Sequence, residues 1–565
     1  MSLGQRVDAL VEQGLLSEAL TQLRSESSIP LHLSATLVHL QSHVGDLLKA
    51  QASAELLLKK ELDYRSLALC KEVIGRSLLV HGRSQADGLR LLLEARSTAE
   101  EKLGAVEYAR YSCSYVDALL HRIGISEAVS ELPKLRKIVL ISGDTFALAV
   151  MHILQAEVRT KQGQLAKAAA DLRMTHDLLS RQANIVLEGK WALASSARAT
   201  LDGSVSQARV LAEHAIRCAD QSGSIPLKIP SLGTLAHVLL ISGQLDLCER
   251  KLAEASKMAR PGGATIVGLQ DTRLQLLIAR GSWDEADSFA ESLLSLSNSL
   301  EGGYSYYGLW HLLTRVKWLL QRNRAAEAAS LAQETLPRVE RMADRNLFER
   351  MQLAAAEALG ASGRPLDGAA LLARTMRENP DPSLELVAEA SRVAGCLATD
   401  DRDAAHAHFV RAMRIFHAIG QRTACADVQR RVGLAGTIAV DTTRPAPPGR
   451  VIEASAAVTL LAAHPPLLGM EVLDLLADAR ACTNAVLVEE DATGVRRVIT
   501  SRPDDAAELG ATRSPQGTGI PLGTLGERSY EVLVAPSASP TARATVIAVE
   551  RMAHASVTLS AMRRD

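Results

Sequence analysis

A short pattern recurs along most of this chain, and its period constrains the fold more than any other feature. Each copy is an apolar helical stretch, a glycine or a substitute for it, and a small residue five positions later. Recurrence at roughly 40 residues is typical of a stacked array of helical hairpins. We therefore predict a mostly α-helical solenoid of about eleven repeats. The predicted turn positions are Gly14, Gly45, Gly82, Gly124, Gly163, Gly203, Gly243, Gly281, Asn323, Gly363 and Asp400.

Both parts of the pattern have a mechanical reason. A tight turn between two helices needs a residue that tolerates positive φ, as glycine and asparagine do. A small residue is needed where the two helices cross closely, and leucines four positions before the turn are expected to close the core between them. Asp87, Val129 and Gly368 depart from this rule. The small positions are Ala19, Ala50, Ala168, Ala208, Cys248, Ala286, Ala328 and Ala405.

Three of these segments resemble the turn and second helix of a tetratricopeptide repeat (TPR). They are Gly281-Ser-Trp-Asp-Glu-Ala286, Gly14-Leu-Leu-Ser-Glu-Ala19 and Gly163-Gln-Leu-Ala-Lys-Ala168. The resemblance implies a TPR-like solenoid over residues 1–435. The TPR unit is nearer 34 residues, so the helices here must be about a turn longer, or the connections must be longer.

Composition and charge exclude several classes of function. Lys and Arg total 63 against 64 for Asp and Glu, so no excess of positive charge is present to neutralise phosphates, and we expect no direct nucleic-acid binding. The seven cysteines are scattered and never form Cys-x-x-Cys, which favours a reducing cytoplasm. The chain has no signal-peptide pattern and no apolar run of membrane-spanning length. We predict a cytoplasmic protein that does not contact a membrane.

The chain changes character after the array. Residues 436–450 include Asp441-Thr-Thr-Arg-Pro-Ala-Pro-Pro-Gly-Arg450, whose prolines fit neither a helix nor a central strand, and we predict a linker there. Beyond it the pattern predicts a small α/β domain over 451–565. We expect helices at 451–463, 467–481 and 550–564, strands at 484–490, 495–500, 529–535 and 542–549, and an irregular segment at 501–526.

The order of these elements resembles the layout of a GAF domain, which implies ligand sensing or dimerisation. The signature Asn-Lys-Phe-Asp-Glu of the cyclic-nucleotide-binding members is absent, so no cyclic nucleotide is inferred. The last helical pattern reaches Asp565 without a stop signal, which favours a natural chain that continues into an ATPase or DNA-binding output domain. The domain order resembles the sensory part of bacterial transcription regulators.

Motifs that carry catalytic chemistry are missing. The sequence has no phosphate loop, no His-Glu-x-x-His and no Gly-x-Ser-x-Gly. His406 and His408 would point about 200° apart on a helix, so they do not share a metal ion. We predict no catalytic residue, no cofactor and no metal site, and we do not expect an enzyme.

Aromatic residues are rare, and several crowd the ninth repeat. Such a cluster either packs between hairpins or anchors a bound partner. The TPR register implies that polar and aromatic positions of the first helices line a groove, although solvated helix faces would account for the polar ones equally simply. The groove candidates are Asp271, Gln275, Tyr307, Trp310, Lys317, Arg350 and Glu357.

The leading hypothesis is a regulatory module. Its array binds a protein or peptide segment, or an intramolecular output domain, while the GAF-like domain senses a small molecule or mediates a homodimer. The alternative is a stand-alone TPR scaffold, in which the C-terminal domain caps or dimerises the array, because stacked repeats need a terminal cap. The identity of the partner, the oligomeric state and the sign of regulation stay open.

Overall fold

The structure is a computed structural model in which the chain divides into two compact units, Met1–Val432 and Gly433–Asp565. It describes residues 2–45, 47–81, 84–259, 264–299, 306–379 and 382–434. In the second unit it further describes four strands, 482–490, 496–502, 518–525 and 528–536, and eight helical positions, 468, 469, 472, 473, 476, 546, 550 and 553. The predicted linker at 436–450 and the predicted helix at 451–463 lie outside these residues.

The described part of the first unit is a TPR-like array of eleven helical hairpins followed by one more helix. The first helices of the hairpins are α1 Leu3–Glu12, α3 Leu31–Val44, α5 Tyr64–His81, α7 Ala105–Ala118, α9 Thr145–Lys161, α11 Ile185–Leu201, α13 Ile225–Ile241, α15 Ala264–Arg280, α17 Tyr306–Gln321, α19 Arg345–Ala361 and α21 Leu384–Leu397. The second helices are α2 Leu16–Arg24, α4 Leu47–Leu57, α6 Gln85–Lys102, α8 Ile125–Ser142, α10 Leu165–Arg181, α12 Val205–Ser222, α14 Leu245–Met258, α16 Trp283–Ser299, α18 Ala325–Met342, α20 Pro365–Glu378 and α22 Arg402–Ala418. A π-helical turn, Leu119–Ile123, lies between α7 and α8, and α23 spans Arg422–Leu434.

Long helices account for the period of the repeat. The helices α9, α11 and α13 begin at Thr145, Ile185 and Ile225, 40 positions apart. Helices α9, α10 and α11 have 17 residues each, and the two connections between them have three residues each. Because the connections are short, the extra length relative to a 34-residue TPR lies in the helices.

The predicted left-handed turn is confirmed at seven of the eleven positions and is wrong at three. After α9, for example, Gly163 has φ 75°, and the backbone N–H of Gln164 donates to the Arg159 carbonyl at 2.8 Å, which closes the helix end. In contrast, Gly45 has φ −131°, Gly124 has φ 176°, and Asp400 does not have positive φ. At Gly124 the preceding π-helical turn carries the chain to α8 instead. The confirmed turn positions are Gly14, Gly163, Gly203, Gly243, Gly281, Asn323 and Gly363; Gly82 lies outside the described residues.

The small residues of the pattern are buried, all eight of them. In the third hairpin the small residue is Gly88 rather than Asp87, and a Cβ at Gly88 would lie 3.0 Å from the Gly75 carbonyl oxygen. In the fourth hairpin Ala128 is buried, one position before Val129. The close helix crossing is therefore kept in these hairpins, with the small residue one position away from the expected one.

Side chains also join hairpins that are distant in sequence. Asn184 Nδ2 donates to the Glu12 carbonyl at 2.8 Å across 172 positions, and Asn346 Nδ2 donates to the Thr160 carbonyl at 2.7 Å across 186 positions. At roughly 40 residues per hairpin, these separations correspond to between four and five hairpins. The array therefore winds into a superhelix whose successive turns touch.

The second unit contains a four-stranded antiparallel sheet in the order β2-β1-β4-β3. The strands are β1 Cys482–Glu490, β2 Arg496–Arg502, β3 Thr518–Leu525 and β4 Arg528–Pro536. Strands β1, β2 and β4 lie where the sequence pattern predicts strands. The helical positions Leu468, Gly469, Val472, Leu473 and Leu476 fall in the predicted helix at 467–481. A Cβ at Gly469 would lie 2.4 Å from Leu487 Cδ1, so the chain at Gly469 packs closely on β1.

Two predictions for this unit are wrong. The segment predicted as irregular contains β3, which lies at the edge of the sheet among the described residues, and a proline such as Pro521 is tolerated in an edge strand. The pairing of β3 with β4 also shifts between Pro521 and Gly523. Val546, inside the predicted strand 542–549, is helical, and β4 already has a strand on each side, β1 and β3.

Candidate functional site

The first helices of the hairpins line two cavities within the array. One cavity, of about 320 Å³, is bordered by the first helices from α11 to α21, together with α22 and α23. We call it the charged cavity because four acidic and five basic side chains line it: Glu357, Glu385, Glu389 and Asp427, with Lys317, Arg350, Arg392, Arg430 and Arg431. Five of the seven predicted groove residues line it, namely Gln275, Trp310, Lys317, Arg350 and Glu357.

Equivalent positions on successive first helices supply these charges. Arg350 and Glu357 lie seven positions apart on α19, so they share one helix face. Glu385 and Arg392 lie seven apart on α21, each 35 positions after its counterpart. The basic residue comes first on α19 and the acidic residue comes first on α21. Opposite charges therefore lie next to each other across the boundary between the two hairpins.

Arg350 links an aromatic side chain to an acidic one on the cavity wall. Its guanidinium Cζ lies 5.8 Å from the centre of the Trp310 ring, and its Nη1 lies 2.6 Å from Glu385 Oε1. Burial by itself would lower the pKa of the Arg350 guanidinium, but the Glu385 carboxylate has the larger effect and raises this pKa. The Trp310 ring therefore lies beside an ion pair, within cation–π distance of its guanidinium.

Glu357 is the most enclosed of the predicted groove residues that line this cavity. Its carboxylate accepts from Arg392 Nη2 at 2.6 Å and pairs with Arg431 Nη1 at 3.1 Å. Burial alone would raise the pKa of Glu357, but the two guanidiniums hold it at about 2. Burial raises the pKa of the adjacent Cys396 thiol to about 11, so this thiol is protonated at neutral pH and is a poor nucleophile.

Lys317 and Arg392 share a second carboxylate, that of Glu389. Lys317 Nζ lies 2.9 Å from Glu389 Oε1, and Arg392 Nε lies 2.9 Å from Oε2. Against the effect of burial, the two cations hold the pKa of Glu389 well below its usual range. The Glu357 and Glu389 carboxylates are therefore both ionised at neutral pH and paired with cations of the same cavity.

The remaining two predicted residues lie elsewhere. Asp271 is buried between α15 and α17 and is not among the residues that line either cavity. It accepts from Gln275 Nε2 at 2.8 Å and from Thr314 Oγ1 at 3.1 Å, and it contacts His311 Nδ1 at 3.3 Å. It thus orients Gln275, which does line the charged cavity. Tyr307 lines the other cavity.

The second cavity, of about 330 Å³, is bordered by first helices from α3 to α17. We call it the histidine cavity because His43, His81 and His121 line it. Arg76 Nη1 lies 2.8 Å from His43 Nε2. Burial and the Arg76 charge together hold the pKa of His43 well below its usual range, so this imidazole is neutral.

Opposite charges also meet in the histidine cavity. Asp117 Oδ1 lies 3.6 Å from Lys190 Nζ, and Lys190 holds the pKa of Asp117 at about 2 against the effect of burial. His121 Nε2 lies 3.2 Å from Glu157 Oε2. Burial disfavours the protonated imidazole, but Glu157 and Asp117 outweigh it and raise the pKa of His121.

Sequence reasoning missed much of the charged cavity. The prediction does not include Glu385, Glu389 and Arg392. The register that selects Arg350 and Glu357 leads to Glu385 and Arg392 when it is carried one hairpin further, but not to Glu389. The contribution of α23, with Asp427 and Arg431, has no repeat signal, because this helix follows the last hairpin.

No protein-family model and no curated protein matches this sequence. Among solved structures, a Rap protein complexed with Competence and Sporulation Factor is 10% identical with a TM-score of 0.46, over 66% of this chain and 98% of that one. The apo quorum sensor NprR from B. thuringiensis is 15% identical with a TM-score of 0.37, over 65% and 97%. A STAND signal-transduction ATPase with a TPR sensor, from Pyrococcus horikoshii, is 13% identical with a TM-score of 0.35, over 74% and 70%. These likenesses concern the helical fold alone.

Within the described part of the chain, none of the helices is both long enough and apolar enough to cross a membrane.

Proposed function

We propose that this chain is a regulatory protein-interaction module whose array holds an extended peptide segment in the charged cavity. The observation that carries the proposal is that five of the predicted groove residues, from α15, α17 and α19, line one cavity. Polar and charged side chains on the inner face of a helical solenoid are what a peptide-reading surface needs.

The lining indicates which peptide would fit. Trp310 offers an aromatic face, and aromatic residues dominate the energetics of interfaces. The cavity wall carries the ion pairs Arg350–Glu385 and Lys317–Glu389. In each pair, a charged ligand side chain can take the place of the residue that has the same charge. A segment that carries one acidic and one basic residue beside an apolar one therefore suits the site.

The segment comes from a separate protein or from an output domain of the same polypeptide. We further propose that the second unit is a GAF-like domain for sensing or dimerisation, and that the chain is a cytoplasmic regulator of bacterial type without catalytic activity. The alternative is a stand-alone scaffold, in which the second unit has no ligand. A small-molecule screen by thermal shift on the full chain separates the two, since only the sensor is stabilised by a ligand.

The cavity proposal is tested with a phage-displayed random-peptide library panned on the full chain. Enriched peptides are synthesised and titrated by calorimetry against the wild type and Trp310→Ala. We expect the variant to bind at least about tenfold more weakly, because loss of an aromatic anchor costs more than 1.4 kcal/mol.

Trp283→Ala is the matched control. This indole lies 6.0 Å from the Arg322 guanidinium and is not among the residues that line either cavity. Binding should be unchanged in this variant. Enrichment of no peptide, or equal loss in the two tryptophan variants, would contradict the cavity proposal.

A further inference from the structure

Three side chains with metal-binding atoms meet where α11 and α12 cross, and none of them lines either cavity. Glu188 Oε1 lies 2.8 Å from His214 Nε2, and Cys218 Sγ lies 3.7 Å from the same nitrogen. The candidate ligand atoms of the three residues all lie within 4.8 Å of one another. The cluster therefore offers one oxygen, one nitrogen and one sulfur ligand around a single point.

Local structure brings the three together. His214 and Cys218 are four positions apart on α12, so they lie on one face of that helix. Gly189, next to Glu188 on α11, makes the close crossing possible, because a Cβ at Gly189 would lie 2.9 Å from Cys218 Cβ. On α11, Val186 and Lys190 line the histidine cavity, and Glu188 lies on the opposite side, about 200° around the helix.

The spacing fits a tetrahedral metal site. Zinc–sulfur and zinc–nitrogen bonds of about 2.3 and 2.0–2.1 Å place the two ligand atoms about 3.5 Å apart at a tetrahedral angle. The Cys218–His214 separation of 3.7 Å is close to this value. The 2.8 Å between Glu188 and His214 is a hydrogen bond, which must lengthen by about half an ångström for both atoms to bind one ion.

We propose that Glu188, His214 and Cys218 bind one divalent cation of the zinc class, with water in the fourth position. A mixed oxygen, nitrogen and sulfur set of this kind selects zinc over magnesium or calcium. On binding, the Cys218 thiol proton passes to water, and the His214 ring proton moves from Nε2 to Nδ1 so that the Nε2 lone pair faces the ion. Arg217 Nη2, which donates to Nδ1 at 3.4 Å in this structure, must then turn away from the ring. The ion would link the two helices of one hairpin, on the side away from the cavities. This inference does not depend on the peptide-binding proposal.

The test uses the full chain, stripped of metal with a chelator and titrated with Zn²⁺ and then with Co²⁺. We expect one tightly bound Zn²⁺ per chain by elemental analysis. We also expect a thiolate-to-Co²⁺ charge-transfer absorption, which reports the Cys218 ligand directly. Cys218→Ser should abolish this absorption and weaken Zn²⁺ binding at least about tenfold.

Two further variants keep the result interpretable. Glu188→Gln changes a partly exposed side chain, so it should fold, and it should also weaken Zn²⁺ binding at least about tenfold. Cys113→Ser is the control. Cys113 lies on α7, outside the hairpin of α11 and α12, and it is not part of the cluster. Its buried thiol donates to the Ala147 carbonyl at 3.6 Å. Its Zn²⁺ binding should equal that of the wild type. Absence of stoichiometric Zn²⁺, or unchanged binding in Cys218→Ser and Glu188→Gln, would overturn the proposal.

Discussion

Arg392 and Glu357 form a buried ion pair between two neighbouring hairpins, with Arg392 Nη2 2.6 Å from Glu357 Oε2 and side-chain exposures of only 7% and 6%. Removing one partner of such a pair leaves an uncompensated buried charge, which costs about 3–5 kcal/mol. A substitution of either residue in the wall of the charged cavity should therefore also lower the free energy of unfolding of the array.

The stability contribution of Glu357 should depend on pH. Its folded pKa of about 2 lies below the ordinary value of 4.5, so its contribution is complete above pH 4.5 and is lost as the pH falls towards 2. We expect Glu357→Gln to lower the free energy of unfolding by about 3 kcal/mol at pH 7 and by progressively less below pH 4.5. Urea unfolding of the wild type and the variant across this range measures the difference.

The control for this pH dependence is Glu334→Gln. Glu334 is 65% exposed and pairs with Arg338 at 3.3 Å, so its removal should change the unfolding free energy by less than about 1 kcal/mol at every pH. A Glu357→Gln effect that stays constant from pH 7 to pH 3 would be inconsistent with the buried pair.

Asn184 should hold two superhelical turns together. Its Oδ1 accepts from the Leu187 N–H at 2.9 Å, which caps α11, and its Nδ2 donates to the Glu12 carbonyl. We expect Asn184→Ala to destabilise the array by about 2 kcal/mol and to speed amide hydrogen exchange in α1 and α2. The measurement is hydrogen exchange read by mass spectrometry.

Asp401→Ala is the matched capping variant. Asp401 caps α22 by accepting from the Ala404 N–H at 2.9 Å. Its loss should cost about 1 kcal/mol and leave exchange in α1 and α2 unchanged. Equal exchange in the two variants would argue against the link between turns.

Ala343 is a position where glycine should be more stable. It ends α18 with φ 60°, a left-handed conformation that costs a residue with a Cβ about 1–2 kcal/mol. Part of the gain is offset by the greater freedom of glycine in the unfolded chain. We expect Ala343→Gly to raise the free energy of unfolding by about 0.5–1 kcal/mol, measured by urea unfolding.

The reverse substitution tests the same conformation. Gly143 ends α8 with φ 65°, and a Cβ there would meet no atom within 4 Å, so Gly143→Ala adds backbone strain without a steric clash. It should lower the free energy of unfolding by a similar amount. If Ala343→Gly and Gly143→Ala changed the free energy of unfolding in the same direction, this explanation would be refuted.

Gly368 should be intolerant of any side chain. A Cβ at this position would lie 2.5 Å from the Ala356 carbonyl oxygen and 2.8 Å from Leu397 Cδ2. We expect Gly368→Ala to destabilise the array by about 1–3 kcal/mol, because the helices must move apart. The neighbouring exposed Asp367→Ala should have an effect within about 0.5 kcal/mol in the same urea experiment, and equal effects would show that the helices do not cross closely here.

The repeated hairpins could be predicted from the sequence because each depends on residues close together in the chain. Seven turn positions have positive φ, and the eight small residues are buried, as the spacing predicts. Strands β1, β2 and β4 were predicted for the same local reason, the enrichment of β-branched residues between turn signals. The edge strand β3 was not, because pairing with β4 overrides the local effect of Pro521.

The sequence by itself thus determined the hairpin and its period. Only the tertiary structure decided which inward residues meet: that Arg392 pairs with Glu357, that Asp271 is enclosed, and that Asn184 reaches Glu12. The physical reason is that a small rotation between neighbouring hairpins accumulates along the array. Contacts across four or five hairpins depend on that sum, and no local pattern of residues encodes it.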